Sequence, residues 1–496
     1  MTPAPQPAST AGFAGSPHAL LFGWGGLWGG LGMSLVVLYP SNEWQAIAGV
    51  LMLTQAFCVV LVGQRLQLIA GAVLPDFLTL FLAFQVVTKT IALINLLVRA
   101  NGLEVGTIAM GFAHLDAYTN PYRWQAEWVF LATTVLFCLG WMALERGRPL
   151  VLRNPPPPRH LWLLYLVFSA LYLGVSVFGL DKAGGALGAA SALLRLCALG
   201  ALAILLGGRT RYGLGRPRSW LSVLALGPFY LLALRSGMKG DFALVSLPIL
   251  MPILLRVTLG RLLVLVGFLL LVVVFVFPFS TEWRKANWES WGGREQNATV
   301  GQVTERVTRR WERDGIGTTA LAGTTRWLAR GTSSDIGGLV MRLADTRGHL
   351  GGILIEGLAY IFVPRFLWPD KPMVRPGAWF TWYLGGARTP ESAGSATATM
   401  LGTELYWMFG VSGVLLWVPL LGMLYAWCWQ RLMTLGASGT VALVGLFALL
   451  VRASELEATH TIYAVAEPIV YLVYLLGLYW LQRALSQALV ATRGRV

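Results

Sequence analysis

One stretch of the chain, residues 363–386, combines cationic side chains with a stiff backbone and aromatic rings. Its cations Arg365, Lys371 and Arg375 lie among prolines, which restrict backbone motion. The aromatic residues interleaved with them include Trp368, Trp379 and Trp382. Fixed cations bind phosphate, and aromatic faces suit sugar rings or lipid headgroups, so the stretch predicts a site for such a ligand. The alternative is a loop anchored at the membrane interface, with tryptophan at headgroup depth and arginine reaching towards water.

Two residues after this stretch are candidates for acid–base chemistry. Glu404 follows Gly402-Thr403 and precedes an apolar helix, and His460 lies between Glu455 and Glu467. A carboxylate or an imidazole close to a hydroxyl group takes its proton as a new bond forms. The alternative for Glu404 is a cap at its helix N-terminus, and for His460 a polar residue at a helix end.

Three further clusters could bind an anion. Residues 234–241 form a glycine-containing basic turn, residues 279–288 follow an apolar run, and residues 451–468 mix charges with His460. Their candidate ligand-binding cations are Arg235 and Lys239, Arg284, and Arg452, in that order. Backbone N–H groups of a glycine-rich turn also bind phosphate. The alternative for residues 234–241 is an ordinary short loop, since many short loops contain two basic residues.

Lys89, Arg195 and Glu467 lie inside apolar runs. A charge within a membrane span costs at least about 2.5–3.5 kcal/mol on insertion scales, so each residue marks a functional site by default. The alternative is a structural ion pair between helices, for example Lys89 with Glu467.

The composition is that of a membrane protein. Of 496 residues, 56% are apolar and only 12% charged, and the mean hydropathy is +0.63. One soluble core cannot bury this much apolar surface, and a disordered chain needs the opposite composition. All four cysteines lie in apolar runs, which excludes a secreted disulfide scaffold. The net charge of +15 collects at the ends of apolar runs and in one long polar segment, which favours topology control and anionic lipid headgroups over nucleic acid.

The apolar runs predict an all-α polytopic protein with about twelve transmembrane helices and one large structured extracytoplasmic loop. The predicted spans are 19–40, 44–63, 74–98, 125–144, 161–181, 186–206, 219–235, 242–256, 261–279, 405–428, 438–452 and 461–482. The runs 242–256 and 438–452 are short, and the former contains two prolines. Arginine and lysine in the short loops place both termini in the cytoplasm.

This orientation gives five regions. They are a disordered cytoplasmic tail 1–18, helices 1–9 over 19–279, the large loop 280–404, helices 10–12 over 405–482 and a cytoplasmic tail 483–496. Within the loop, Val300, Val303, Val307 and Trp311 recur at helical spacing opposite a basic face, which predicts an amphipathic helix on the membrane surface. A second helix is predicted from Ser334-Asp335 to about Gly348.

Several motifs are absent from the sequence. There is no Walker A motif, no HExxH, no GxSxG and no histidine–cysteine metal spacing. The sequence therefore predicts a site without a metal or cofactor, built from cations.

The amino-acid sequence of the large loop and of the residues directly after it resembles that of Wzy-type O-antigen polymerases, the oligosaccharide repeat unit polymerases. The resemblance rests on Pro364-Arg365, Trp368-Pro369 and Lys371-Pro372, followed by Gly402-Thr403-Glu404 and Phe409-Gly410. The turn at residues 235–240 and the plan of twelve spans with a large loop before the last three are similar as well.

This resemblance implies a glycosyltransferase of the bacterial inner membrane that polymerises repeat units carried on polyprenyl pyrophosphate at the periplasmic face. It implies a lipid-linked glycan, membrane lipids and a chain-length regulator protein as partners. The cations would stabilise the pyrophosphate leaving group, and Glu404 or His460 would deprotonate the acceptor hydroxyl. An O-antigen ligase, which differs only in its acceptor, and a transporter of lipid-linked sugars are the alternatives.

Overall fold

The architecture is described by a computed structural model of the chain. It describes residues 17–39, 42–100, 122–145, 149–152, 156–178, 185–210, 221, 224–236, 239–255, 267, 272–287, 299–320, 333–363, 368, 370–372, 375–384, 388–390, 399–436, 440–457 and 459–493. These residues are helices and connecting turns, and none of them lies in a β-strand. The predicted all-α class is confirmed for this part of the chain.

Sixteen α-helices are numbered here in chain order. They are α1 Pro17–Leu38, α2 Glu43–Leu68, α3 Phe77–Ala100, α4 Arg123–Leu144, α5 Pro158–Val177, α6 Gly185–Thr210, α7 Gly227–Ser236, α8 Lys239–Leu255, α9 Phe277–Asn287, α10 Val300–Asp314, α11 Ser333–Arg347, α12 Leu358–Ile361, α13 Pro376–Tyr383, α14 Leu401–Gly436, α15 Thr440–Glu455 and α16 Thr461–Arg493. A short π-helical turn, Val272–Val276, leads into α9, and a 3₁₀ turn, Gly351–Leu354, precedes α12.

Eight helices of the described part are long and apolar enough to cross a membrane, namely α1 to α6, α14 and α16. The chain therefore has the architecture of a multi-pass membrane protein. The short predicted spans correspond to apolar helices at Asp241–Leu255 and Val444–Ala453. The run 219–235 is represented by the ten-residue α7, and the run 261–279 lies mostly outside the described residues. The count of twelve spans stays a prediction.

The centre of the bundle is the contact between α4 and α14. A Cβ added at Gly140 would lie 2.0 Å from the carbonyl oxygen of Pro419, and one added at Gly422 would lie 2.3 Å from that of Phe137. The two backbones touch because neither glycine carries a side chain. Beside this contact, the ring of Phe137 packs against Tyr425 at 5.8 Å, within the main apolar core.

The amphipathic helix predicted from Val300 is confirmed as α10, and part of its apolar face packs on a neighbouring helix. Val303 and Val307 of α10 are buried against Phe279 and Trp283 of α9, so the two helices form a hairpin with its own small core. Thr299 and Gln302 form a capping box that fixes the start of α10. The contact with a membrane surface stays a prediction, since α9 covers Val303 and Val307 while Val300 is 43% exposed.

Ion pairs support the same hairpin. Arg310 of α10 donates to Glu282 of α9 at 2.7 Å, and both side chains are largely buried. At the end of α10, the Arg313 guanidinium donates two hydrogen bonds to Asp314 at 2.7 and 3.1 Å. These bonds lower the pKa of the Asp314 carboxyl group, because they stabilise its charged form.

The second predicted loop helix, α11, is confirmed from Ser333 to Arg347. It packs against α4 and α14, and its glycines bring it close: a Cβ at Gly337 would lie 2.8 Å from the ring of Phe130. Asp335 in its first turn forms an ion pair with Arg123 at 3.1 Å. The helix α11 of the segment 280–404 is therefore part of the helical bundle.

The helix α14 is interrupted at Gly410, where φ is +65°. Only glycine adopts this backbone conformation without strain. The interruption leaves a carbonyl oxygen available at Trp407, which accepts a hydrogen bond from the backbone N–H of Leu350 at 3.0 Å. This bond ties the segment after α11 to α14.

Two predicted region boundaries also shift. The last helix, α16, continues past the predicted span end at 482 to Arg493, and α9 runs across the predicted start of the loop at 280. Residues 1–16 of the predicted N-terminal tail lie outside the described residues.

Candidate functional site

The two predicted acid–base residues contact each other. Glu404 lies in the first turn of α14, and His460 immediately precedes α16. The Nδ1 atom of His460 lies 2.6 Å from Oε2 of Glu404, and Glu404 is fully buried. The hydroxyl of Thr399 donates to Glu404 and lies 3.1 Å from Nδ1 of His460. Three polar groups thus form one buried cluster where α14 and α16 begin.

Glu404 caps a helix, but the helix is not its own. Its Oε1 accepts a hydrogen bond from the backbone N–H of Thr461, the first residue of α16, at 2.9 Å. Its position in the first turn of α14 also places the carboxylate near the positive end of that helix dipole. The alternative interpretation, that Glu404 caps the helix in which it lies, named the wrong helix. The side chain starts from α14 and caps α16, so it connects the two helices.

The contact with Glu404 defines how His460 can react. In a neutral imidazole, the nitrogen that faces a carboxylate carries the proton, which leaves the lone pair on the other nitrogen. Nδ1 faces Glu404, so Nε2 is the basic nitrogen. A carboxylate in this place also stabilises the imidazolium ion that forms when His460 accepts a proton. The arrangement is suited to general base catalysis by His460, with Glu404 as its partner.

Glu457 connects this cluster to a buried lysine. Its backbone carbonyl accepts from the N–H of Leu401 at 3.0 Å, and its carboxylate accepts from Nζ of Lys89 at 2.6 Å. Lys89 is 1% exposed and lies 3.8 Å from Glu127, so it neutralises two carboxylates. The predicted pair of Lys89 with Glu467 is wrong, since α3 faces the residues after α15 rather than the interior of α16.

Glu467 pairs instead with Arg452. Arg452 lies 2.7 Å from Glu467, donates to Glu455 at 2.7 Å and bonds the hydroxyl of Tyr471 at 3.3 Å. A guanidinium held by two carboxylates has little charge left for a phosphate. The prediction that Arg452 binds the ligand is therefore not supported by this geometry. Arg195, the third intramembrane charge, pairs with Asp241 at 2.7 Å.

A cavity of about 560 Å³ lies near the start of α16, and neither Glu404 nor His460 is among its described lining residues. Ile462, two residues after His460, forms part of its wall, so the cavity reaches the start of α16. The other described lining residues come from the segment before and within α12, from the segment around the start of α13, and, in one case, from the chain after α13. They are Ile353, Leu354, Glu356, Gly357, Tyr360, Pro372, Arg375, Pro376, Trp379 and Pro390. This cavity is open, and it combines charged groups with aromatic rings.

The predicted cations differ in their positions. Arg375 immediately precedes α13 and lines the cavity. Lys371 donates to the carbonyl oxygens of Val363 at 2.7 Å and Ile361 at 3.3 Å. One of these carbonyls belongs to the last residue of α12, where a lysine stabilises a helix end.

Four other predicted cations lie outside what the structure describes. Arg365 belongs to residues that are not described, and Arg235, Lys239 and Arg284 have only their backbone placed, in α7, α8 and α9. Their roles stay predictions.

The three predicted tryptophans also differ in their positions relative to the cavity. Trp379 lines the cavity and stacks on Tyr383 with ring centroids 5.1 Å apart. Trp368 is 41% exposed and meets the ring of Tyr360 edge-on at 5.9 Å. Trp382 is 37% exposed and packs edge-on against Trp379, but it is not among the residues that line the cavity.

Sequence reasoning missed Thr399, Glu356 and Tyr360. Thr399 lies five residues before Glu404, so its spacing from a candidate base was a usable signal. Glu356 and Tyr360 lie one helical turn apart in an otherwise apolar stretch, which was a second signal.

Comparisons with known proteins add no assignment: no protein family, no curated protein and no solved structure matches this chain.

Proposed function

We propose that this protein is a membrane glycosyltransferase that joins oligosaccharide repeat units carried on polyprenyl pyrophosphate. The observation that carries the proposal is the buried contact between Glu404 and His460, together with a cavity that is lined by Arg375 and Trp379 and by Ile462, two residues after His460. A base and a fixed cation are the two groups that glycosyl transfer from a lipid pyrophosphate requires. The resemblance of residues 363–410 to Wzy-type polymerases supports the same assignment.

In the proposed reaction, a hydroxyl oxygen of the acceptor sugar attacks the anomeric carbon of the donor. The proton of that hydroxyl moves to Nε2 of His460, and Glu404 stabilises the resulting imidazolium ion. The bond between the anomeric carbon and the pyrophosphate oxygen breaks, and polyprenyl pyrophosphate leaves with the electron pair. Direct attack inverts the anomeric carbon.

Arg375 stabilises the charge that develops on the leaving pyrophosphate, because a guanidinium bonds phosphate oxygens in pairs and stays charged. The face of Trp379 contacts a sugar ring in the cavity. We place Arg235, Lys239, Arg284 and Arg365 as further contacts to the lipid pyrophosphate. Arg452 is left out, since its charge is already matched by Glu455 and Glu467.

The proposed setting is the bacterial inner membrane, with twelve spans, both termini in the cytoplasm and the cavity on the periplasmic side. The basic short loops of the sequence support this orientation. A lipid-linked repeat unit would be used there together with a chain-length regulator protein.

The test is elongation by purified protein in lipid nanodiscs, supplied with synthetic polyprenyl-pyrophosphate repeat units and no nucleotide or metal. We expect a ladder of glycans from the unaltered protein. His460→Gln should lower the rate by roughly 10²–10⁴-fold, the usual contribution of a general base. Glu404→Gln should lower it as well, because the imidazolium ion loses its counter-charge.

His160→Gln and Glu312→Gln are the matched controls, because both residues are exposed and lie away from the cavity. A normal ladder from His460→Gln would refute the proposed chemistry. Movement of the lipid-linked glycan across the bilayer without elongation would identify a transporter instead. Transfer to a lipid A core acceptor, with no elongation, would identify a ligase.

A further inference from the structure

The cavity has an uneven distribution of charge. Among its described lining residues, Arg375 is the single cation and Glu356 the single anion, and the others are apolar, aromatic or glycine. The two charged residues come from different segments, Glu356 from the turn before α12 and Arg375 from the residue before α13. A ligand in this cavity therefore meets a carboxylate from one segment and a guanidinium from another.

Among the described residues, none pairs with the charge of Glu356. Its backbone carbonyl accepts from the N–H of Ala359 at 3.2 Å, but its carboxylate makes no hydrogen bond or ion pair within the described part of the chain. The side chain is exposed to the cavity and not buried in the core. Its carboxylate oxygens are accordingly available to a ligand.

Tyr360 adds an aromatic face to the same segment. It follows Glu356 by four residues and also lines the cavity. Its ring is supported from the side by Trp368, at a centroid distance of 5.9 Å. A carboxylate next to an aromatic face is a combination that binds sugars, because the ring contacts C–H groups while the oxygens accept hydrogen bonds from hydroxyl groups.

We propose that Glu356 and Tyr360 form the subsite for the acceptor sugar, and that Glu356 selects neutral or amino sugars over sugars that carry a carboxylate. This inference rests on the proposed glycosyl transfer. Inversion requires the acceptor and the leaving group on opposite sides of the anomeric carbon, and separate segments supply the groups suited to each. The guanidinium of Arg375 takes the pyrophosphate, and the carboxylate of Glu356 takes the hydroxyl or ammonium groups of the acceptor.

Selection follows from the charge of Glu356. A uronate in this subsite would bring two carboxylates together, which disfavours its binding. A protonated amino group would form a charge-assisted hydrogen bond to the same oxygens. A neutral sugar meets no charge repulsion from Glu356 and forms only neutral hydrogen bonds with it. Its affinity should therefore lie between those of the uronate and the amino sugar.

Binding is measured by saturation-transfer difference NMR on the full protein in nanodiscs, with three probes: methyl glucosaminide, methyl glucoside and methyl glucuronide. We expect the glucosaminide to bind at least about tenfold more tightly than the glucuronide, the scale of one charge pair in a partly solvated site. Glu356→Gln should reduce this ratio to near one. Glu356→Asp keeps the charge and should keep the preference, which separates a charge effect from misfolding.

Glu312→Gln, at an exposed glutamate of α10, is the matched control and should leave the ratio unchanged. Equal binding of glucosaminide and glucuronide by the unaltered protein would overturn the inference, as would an unchanged ratio in Glu356→Gln. A glycan ladder combined with an unchanged ratio removes this inference alone, and the polymerase proposal stands. An altered ratio without any ladder removes the polymerase proposal and keeps the sugar subsite.

Discussion

Lys89→Met removes the cation that holds two buried carboxylates beside the candidate site. Lys89 is 1% exposed, its Nζ lies 2.6 Å from Glu457, and Glu127, fully buried, lies 3.8 Å away. Methionine has a similar length but no charge, so both carboxylates lose their counter-charge. Breaking a buried ion pair in this way costs about 3–5 kcal/mol, because the remaining charge is left in an apolar environment.

The expected change in melting temperature follows from the size of the protein. The unfolding entropy of a chain of this length is about 1 kcal/mol per kelvin, so Lys89→Met should lower the melting temperature by about 3–5 °C. A thiol-reactive fluorescent dye measures this directly in detergent, because all four cysteines are buried and react only on unfolding.

The double variant Lys89→Met, Glu457→Gln shows whether charge is the cause. In the double variant only the Glu127 carboxylate lacks a counter-charge, whereas in Lys89→Met both Glu127 and Glu457 lack one. The melting temperature of the double variant should therefore be higher than that of Lys89→Met. Exposed Lys or Arg positions supply the control: Arg309→Met removes a cation that is 74% exposed and should change the melting temperature by less than about 1 °C.

Two results would refute the reasoning. One is a Lys89→Met protein that melts at the temperature of the unaltered protein. The other is a double variant whose melting temperature falls below that of the unaltered protein by the sum of the two single effects, since additive effects would mean that the two side chains do not interact.

Two further predictions concern helix contacts. Gly140→Ala should destabilise the protein by at least about 1–3 kcal/mol, because the added Cβ would lie 2.0 Å from a carbonyl oxygen of α14. The control is Gly174→Ala, because nothing lies within 4 Å of the added Cβ there. This control variant should be neutral or stabilising in the same thermal assay. Arg310→Met should accelerate amide hydrogen exchange in α10 about tenfold, because it breaks the ion pair with Glu282 and costs about 1–2 kcal/mol. Arg309→Met, at an exposed position of the same helix, is the control. Equal exchange rates in the two variants would contradict a stabilising role of the Arg310–Glu282 pair.

The candidate site was predicted in its residue types but not in its connections. Glu404 and His460 were chosen because a carboxylate and an imidazole perform acid–base chemistry, and they lie 2.6 Å apart. The sequence separates them by more than fifty residues, so nothing local indicates their contact. Arg452 has the same chemistry as Arg375, but carboxylates 3 and 15 residues further along occupy it.

The amino-acid sequence by itself determined the helical membrane architecture and the local helices of the segment 280–404. Long apolar runs force helices, since backbone groups in lipid must bond within their own segment. The 3.6-residue period of α10 and the Ser-Asp signal of α11 are equally local, and both helices are observed. Such features depend only on neighbours along the chain.

The tertiary structure alone decided which partner each face and each charge meets. It placed the apolar stripe of α10 on α9, Lys89 beside Glu457, and Glu404 at the start of α16. It also interrupted α14 at Gly410 and brought Glu356 and Arg375 into one cavity. The physical reason is that burial energy and ion pairing depend on distances between segments far apart in the chain, which hydrophobic periodicity does not contain.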